Sequence, residues 1–168
     1  MRKAGLNLFL IVMLLLAAAA IPPPAGAQPF TGGPITLEVP AGWTAEYLKM
    51  GTTDQIRLMA RDNQCRVAVL LGPSMGRETK KDAELLAESI GVSTVPEPVP
   101  GRDSYHFFSR NEKQANLEAI VFTRYPAMLT WMQSGDTKKY AEDIRTIWNS
   151  LSSSNPFHQT LLDDLYRL

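Results

Sequence analysis

Three groups of residues have types and spacings that chemistry could use. The first is Gly72-Pro73-Ser74-Met75-Gly76, which matches Gly-x-Ser-x-Gly. In a hydrolase elbow those glycines make room for a sharp strand-to-helix turn that exposes the serine, and a later histidine takes its proton. His106 and His158 both follow Ser74, in the order such a triad requires. The next predicted helix begins near Thr79, too late for an elbow, and the surrounding strands read as antiparallel, so the pentapeptide reads as a Gly-Pro turn. The second group is Cys65, the single thiol. It opens an apolar strand, where cysteine behaves as a small buried hydrophobe, and the adjacent Arg66 points to the opposite strand face. A reactive thiol needs an electropositive, partly exposed setting instead. The third group holds Asp103, His106 and Glu112 near one predicted strand, with Asp82, Glu84 and Glu88 on one predicted helix. Zinc wants three or four convergent ligands, and one histidine flanked by carboxylates along a strand supplies at most two. Neither a phosphate-binding loop nor a dinucleotide fingerprint occurs. No catalytic residue, cofactor or metal is therefore assigned, and the chain reads as a non-enzyme.

The elements that must carry any function start after an export segment. The chain has 168 residues, 45% hydrophobic and 20% charged, with 17 Lys+Arg against 17 Asp+Glu. That balance suits a globular protein and gives no concentrated positive charge for nucleic acid. One cysteine leaves no intramolecular disulfide framework. Arg2 and Lys3 precede an apolar run from Leu8 to Ile21, prolines at 22–24 stop any helix, and Ala25-Gly26-Ala27 supplies the small residues a signal peptidase reads. The run is short of the ~20 apolar residues a spanning helix needs. The expected organisation is a signal peptide at 1–27, an extended leader at 28–34, one α+β domain at 35–151 and a tail helix within 152–168. The expected location is secreted or periplasmic, with no stable membrane span after cleavage at Ala27/Gln28.

Within the domain, Ile35 to Val39 alternates apolar and polar residues, the period of a half-buried strand. Trp43 to Leu48 follows as a weaker strand. Gln55 to Arg61 alternates again, with Ile56, Leu58 and Ala60 on one face and Arg57 and Arg61 on the other. Asp62-Asn63-Gln64 is a tight connection, so Cys65 to Leu71 returns as a hairpin partner. Thr79 to Asp82 has the outline of a capping box, apolar residues recur at helical spacing to Ile90, and Gly91 is a plausible stop. Val92 to Asp103 reads as a loop. Ser104 to Arg110, Ala115 to Thr123 and Ala127 to Gln133 read as strands. A helix from about Thr137 to Leu151 gathers Tyr140, Ile144, Ile147, Trp148 and Leu151 on one face, with Asp136 or Thr137 as its cap. These elements predict an α+β fold: a mainly antiparallel sheet of about six to seven strands packed by two main helices, plus a short C-terminal helical tail.

Leu37-Glu38-Val39-Pro40-Ala41-Gly42-Trp43 reads as a strand followed by Pro-x-Gly-Trp. Together with the Leu85 to Gly91 helix end, the Tyr105 hairpin and Ile144-x-x-Ile147-x-x-Ser150-Leu151, it resembles the PsbP-like fold over about Ile35 to Leu151. That group holds the extrinsic photosystem II protein PsbP, a nuclear Ran-release factor and many exported bacterial proteins. The resemblance implies a fold whose members bind proteins and share no catalytic set, so it transfers no functional residue.

Two apolar stripes remain as candidate interaction surface. Met128, Trp131 and Met132 lie on one predicted strand, Trp131 sharing a face with Leu129 and the methionines sharing the other with Thr130; one of those faces is open to a ligand or partner, and methionines suit adaptable contacts. Leu161, Leu162, Leu165 and Leu168 form the apolar stripe of a tail helix too short to persist alone in water. The leading functional reading is an exported, non-catalytic module that binds another macromolecule, most simply a protein partner in the cell envelope. The alternative is a small-ligand or lipid-binding protein with a pocket between sheet and helices. The oligomeric state stays open. Intact-mass measurement of protein exported by a native-like host is expected to place the N-terminus at Gln28; recovery of a full-length, membrane-embedded form would contradict the export reading.

Overall fold

The computed structural model describes residues 26–74, 78–101, 103–111 and 114–166. Two sheets organise these residues. Strands β3 (Trp43–Met50), β4 (Thr53–Ala60) and β5 (Cys65–Pro73) form one antiparallel meander. Strands β7 (Ser104–Asn111), β8 (Gln114–Arg124) and β9 (Ala127–Gly135) form a second. Pairing of β5 with β9 joins them, and a two-residue β6 (Glu97–Pro98) borders β7, giving the order β3-β4-β5-β9-β8-β7-β6. The fold is α+β, with a seven-stranded antiparallel sheet. A separate three-stranded sheet, absent from the sequence reading, joins β1 (Gln28–Gly32), β2 (Ile35–Val39) and β10 (Ser152–Ser153). Residues 28–32, expected as extended leader, thus pair with β2 in full register from Gln28 opposite Val39 to Gly32 opposite Ile35.

The strand period decides which side chains meet. Ile56 and Leu58 of β4, Val67, Val69 and Leu71 of β5, Leu129 and Trp131 of β9 and Phe122 of β8 share one sheet face. Ile35 and Leu37 of β2 lie over them, with Ile147 of α2 (Ala141–Ser150) and Leu161, Leu162 and Leu165 of α3 (Pro156–Tyr166), as one contiguous core. The opposite face carries Phe107 and Ala119, on which α1 (Thr79–Ser89) packs through Ala87. Small side chains on both partners let the helix approach the strands closely.

Helix ends follow local chemistry with two departures. Gly91, in left-handed conformation at φ 73°, closes α1: its N–H donates to Glu88 O and that of Val92 to Ala87 O, the paired bonds of a Schellman end. The expected capping box at Thr79 does not form. The N-cap is Glu78, without a side-chain cap bond, because the helix begins one residue earlier and Thr79 is already inside it. The helix expected from Thr137 begins at Ala141. Residues 137–140 turn instead, because Lys139 and Tyr140 are drawn to Asp62: Lys139 Nζ donates to Asp62 Oδ2 at 2.9 Å and Tyr140 Oη at 2.6 Å. Asp136 Oδ1 accepts the Lys139 N–H (3.2 Å), so it caps that turn rather than the helix. The loop expected over Val92 to Asp103 contains β6. α3 starts at Asn155-Pro156, where Asn155 Oδ1 accepts the N–H groups of Phe157 and His158 and proline takes the first helical position.

Pro-x-Gly-Trp also acquires a physical role. Gly42 turns the chain at φ 82°, and Trp43 then donates its indole N–H to Asp143 Oδ2 (2.8 Å) and meets the Tyr140 ring edge-on at 5.5 Å. It thereby pins the start of α2 to the start of β3.

Trp131, 3% exposed, meets Trp148 of α2 edge-to-face at 4.9 Å, while Trp148 itself is half-buried and also faces Phe122 at 6.0 Å. Trp131→Ala is expected to cost about 3–5 kcal/mol in denaturant titration. Trp148→Ala should cost less, and the double variant should show a coupling of about 0.5–1.5 kcal/mol. Deletion of residues 154–168 should lower the melting temperature without changing the oligomeric state, since it uncovers the face of β9 on which α3 packs.

Candidate functional site

Ser74, His106 and His158 come from three different parts of the fold. Ser74 lies just past β5, buried, with its N–H donating to Pro126 O at 2.7 Å. His158 of α3, 6% exposed, is hydrogen-bonded to the Gly72 backbone, and its buried Nδ1, the nitrogen that would accept a proton, has no hydrogen-bond partner. His106 faces Glu97 across β6 and β7 at 3.9 Å and stacks edge-on against Phe108. Met75 and Gly76 lie outside the described residues. Cys65 is fully buried, and burial pushes its thiol pKa up, which disfavours the thiolate. Among the described residues no three His, Cys, Asp or Glu side chains converge as metal ligands, and Glu112 lies outside them.

Most of the apolar candidates face the core of this chain. Trp131, Leu161, Leu162 and Leu165 are buried there, and Leu168 lies outside the described residues. Met128 and Met132 point to the opposite sheet face and are half-buried, Met132 against the cluster of Ala87, Val92, Phe107 and Ala119. The Met128-to-Met132 stripe is therefore split by the pleat: Trp131 is core, and only the methionines border solvent. The tail stripe docks in cis, tied further by an ion pair between Arg124 and Asp164 and by Ser153 N–H donating to Gln159 Oε1 at 2.7 Å.

A different surface emerges on the face shared with α1. That helix covers β7 and β8, and beyond it Thr44, Glu46, Arg57, Met59 and Arg66 of β3, β4 and β5 are all exposed. Arg57 lies opposite Ala68 and Arg66 opposite Met59, so the two guanidinium groups are diagonal neighbours. Ion pairing is unevenly distributed. Lys49 pairs with Asp54, Lys80 and Lys81 with Glu84, Arg124 with Asp164, Lys139 with Asp62 and Arg145 with Glu142. Among the described residues, Arg57, Arg61, Arg66 and Lys138 have no ion pair. Arg57, Arg61 and Arg66 belong to the β4–β5 hairpin, and Lys138 lies in the neighbouring β9–α2 turn. An open groove of about 1430 Å³ adjoins the hairpin, lined by Arg66, Ile90, Leu117, Met132, Ser134 and Lys138. Glu118 and Asp136 also border it, but Glu118 accepts Gln133 Nε2 at 2.5 Å and Asp136 caps the turn at Lys139. The alternation that puts Arg57 opposite to Ile56 and Leu58 is visible in the sequence; the missing partners are not.

A second polar cluster sits where α3 meets the sheet. Asp54, 4% exposed, accepts Tyr47 Oη at 2.6 Å and Lys49 Nζ at 2.8 Å. Burial alone would raise its carboxyl pKa, but the bonds from Lys49 and Tyr47 hold it below the ordinary value. The same bond to Asp54 raises the Tyr47 phenol. Asp62, bonded by Tyr140 and Lys139, falls to about 2.

The chain is similar to the cyanobacterial PsbP (CyanoP) of Synechocystis sp. PCC 6803, at 12% identity and a TM-score of 0.48, over 80% of this chain and 96% of that one. It is also similar to a protein of Bacteroides thetaiotaomicron, at 9% identity and a TM-score of 0.48, over 79% of this chain and 50% of that one. No family model matches the chain. No curated protein matches it by sequence. The first likeness falls within the group that the sequence resembles. At such identity it brings no residue and no activity to this chain.

His158 supplies a pH test of how α3 is held. Burial lowers its pKa below 6.5, with Asp54 opposing that shift and Lys49 reinforcing it. The unfolded chain therefore binds the proton first, so the stabilisation is present above pH ~6.5 and is lost as pH falls through the folded-state value. Thermal melts from pH 7.5 to 5 should show falling stability, and His158→Gln should flatten the dependence over that window. An equal slope in the variant would assign the loss to other groups.

Proposed function

We propose that the protein is an exported, non-catalytic binding module that engages another macromolecule of the cell envelope through the half of the sheet face that α1 leaves uncovered. The observation that carries this reading is the contrast between the two faces. One is closed by β1, β2, β10, α2 and α3 over a continuous core. The other is closed only over β7 and β8, and its remainder presents exposed side chains beside an open groove. A surface of that kind suits a partner larger than a metabolite. The alternative of a small-ligand pocket between sheet and helices has less support. Ile147 and Leu162, both 0% exposed, fill the layer under α2 and α3, and Phe107, Ala87 and Ala119 fill the layer under α1.

Among the described residues no helix is long and apolar enough to cross a membrane. The apolar run from Leu8 to Ile21 lies outside them. Export remains part of the proposal on the strength of the leader pattern.

Site-specific photo-crosslinking in intact cells tests the reading. A photoreactive residue at Thr44 or Met59, which are paired neighbours on the open face, is expected to capture a macromolecular adduct. The same residue at Asn149, exposed on α2, should not. Adducts of equal yield at all three positions, or at none, would overturn the assignment of this face.

A further inference from the structure

Of the four cations without an ion pair, Arg57 and Arg66 are diagonal neighbours, Lys138 shares the groove with Arg66, and Arg61 borders a separate hollow beside Gly42 and Trp43. The other lysines and arginines whose side chains are described, Lys49, Lys80, Lys81, Arg124, Lys139 and Arg145, each have an acidic partner within the chain. Arg57, Arg61 and Arg66 belong to one hairpin, and Arg66 and Lys138 line the same groove. Arginines on neighbouring strands repel one another, and neither Arg57 nor Arg66 has an ion pair to offset that repulsion. Glu46 stands opposite Arg57 in the β3–β4 register but forms no ion pair with it. Glu118 and Asp136 on the groove rim are already engaged by hydrogen bonds. Apolar side chains interleave with the cations: Met59, 37% exposed, lies opposite Arg66, and Met132 and Leu117 line the groove.

Resting on the binding-module reading, we infer that the β4–β5 hairpin face and its groove dock an acidic polypeptide segment of a partner protein, with apolar residues set between its carboxylates. The fork of each guanidinium takes a carboxylate in two parallel bonds, so Arg57, Arg61 and Arg66 supply three such positions and Lys138 a point charge. Between those points, Met59 and Met132 accept apolar side chains of varied shape. A polypeptide fits better than a bilayer, because the apolar residues line a concavity between α1 and the β9–α2 turn. A flat lipid surface would reach the hairpin arginines and miss Met132 and Leu117.

The test uses the full chain with the photoreactive residue at Met59 and adds two variants in that background. Arg57→Glu with Arg66→Glu reverses the charge, and Arg57→Lys with Arg66→Lys keeps it. The inference expects an adduct whose cross-linked peptide is acidic. It also expects a loss of about tenfold in yield on charge reversal, from a free-energy change of about 1.4 kcal/mol, and retention of at least half the yield in the lysine variant. Raised salt should lower the yield in the same order. Both variants lie on exposed strand positions, and circular dichroism melts within a few degrees of the parent show that the fold is retained. A melt that collapses in the glutamate pair moves the reversal to Arg61→Glu with Lys138→Glu, which is read in the same way. An adduct on a non-acidic peptide, or one indifferent to charge reversal, overturns the inference while leaving the binding module standing. Co-sedimentation with phosphatidylglycerol vesicles that disappears in the charge-reversed variant, with no protein adduct, overturns it in favour of lipid. Absence of an adduct at every surface position tried overturns the underlying reading as well.

Discussion

The pairing of β5 with β9 is the interaction on which the rest of the molecule depends. It runs in register from Cys65 opposite Gly135 to Pro73 opposite Ala127, and it is the join between two three-stranded meanders that each close through short turns. Its cost is the ordering of the long intervening chain before any ladder bond forms. At its end the backbones come so close that Gly135, at φ 93°, is required: a Cβ there would sit 2.0 Å from Gln64 O. The same contact lets the Asp136 N–H donate to Gln64 O at 2.9 Å, which sets the start of the turn that presents Lys138, Lys139 and Tyr140. One glycine thus links the ladder, the clamp on Asp62 and the rim of the groove.

Because β5 and β9 are central, their two faces inherit different environments. Val67, Val69, Leu129 and Trp131 point into the layer closed by α2 and α3. Ala68, Leu70, Met128 and Met132 point the other way and are only half-buried, since α1 is one helix of 11 residues and reaches only part of the sheet. A seven-stranded sheet covered by a single helix on one side leaves strands uncovered, and here those strands carry the unpaired arginines. The proposed docking surface follows from the mismatch between helix number and sheet width.

Much of this was legible in the residues. The alternation at Gln55 to Arg61, the turn at Asp62-Asn63-Gln64 and the apolar return gave the β4–β5 hairpin, and Gly91 gave the end of α1, because in each case the signal and the structure are both local. The three-stranded sheet was not legible, since β2 pairs with Ser152 and Ser153 more than a hundred residues away and Gln28 to Gly32 carries no alternation strong enough to mark a strand. The late start of α2 has the same origin: Asp62 draws Lys139 and Tyr140 away from helical geometry from a distant hairpin. For the candidate surface, period-two reasoning separated Trp131 from Met128 and Met132 and did not say which face was covered. The leucines of the tail were recognised as a stripe, but only the folded chain places their docking site on itself. Asp54 and His158, brought together from β4 and α3, left no mark in sequence spacing at all.

The small sheet has a further consequence for how the chain is made. Its middle strand, β2, is flanked by β1 from the start of the described chain and by β10 from near its end. A polypeptide emerging N-terminus first presents Ile35 and Leu37 long before Ile147 or Leu162 exists to cover them. The sheet face beneath stays open through the emergence of every other strand. Domains generally fold as whole units during synthesis, and exposed apolar surface on a waiting intermediate invites aggregation. The larger core closes only with α2 and α3, so vectorial production leaves it open until residues 141–166 have emerged, and any factor that shields nascent chains has most to protect on the β2 side of the sheet.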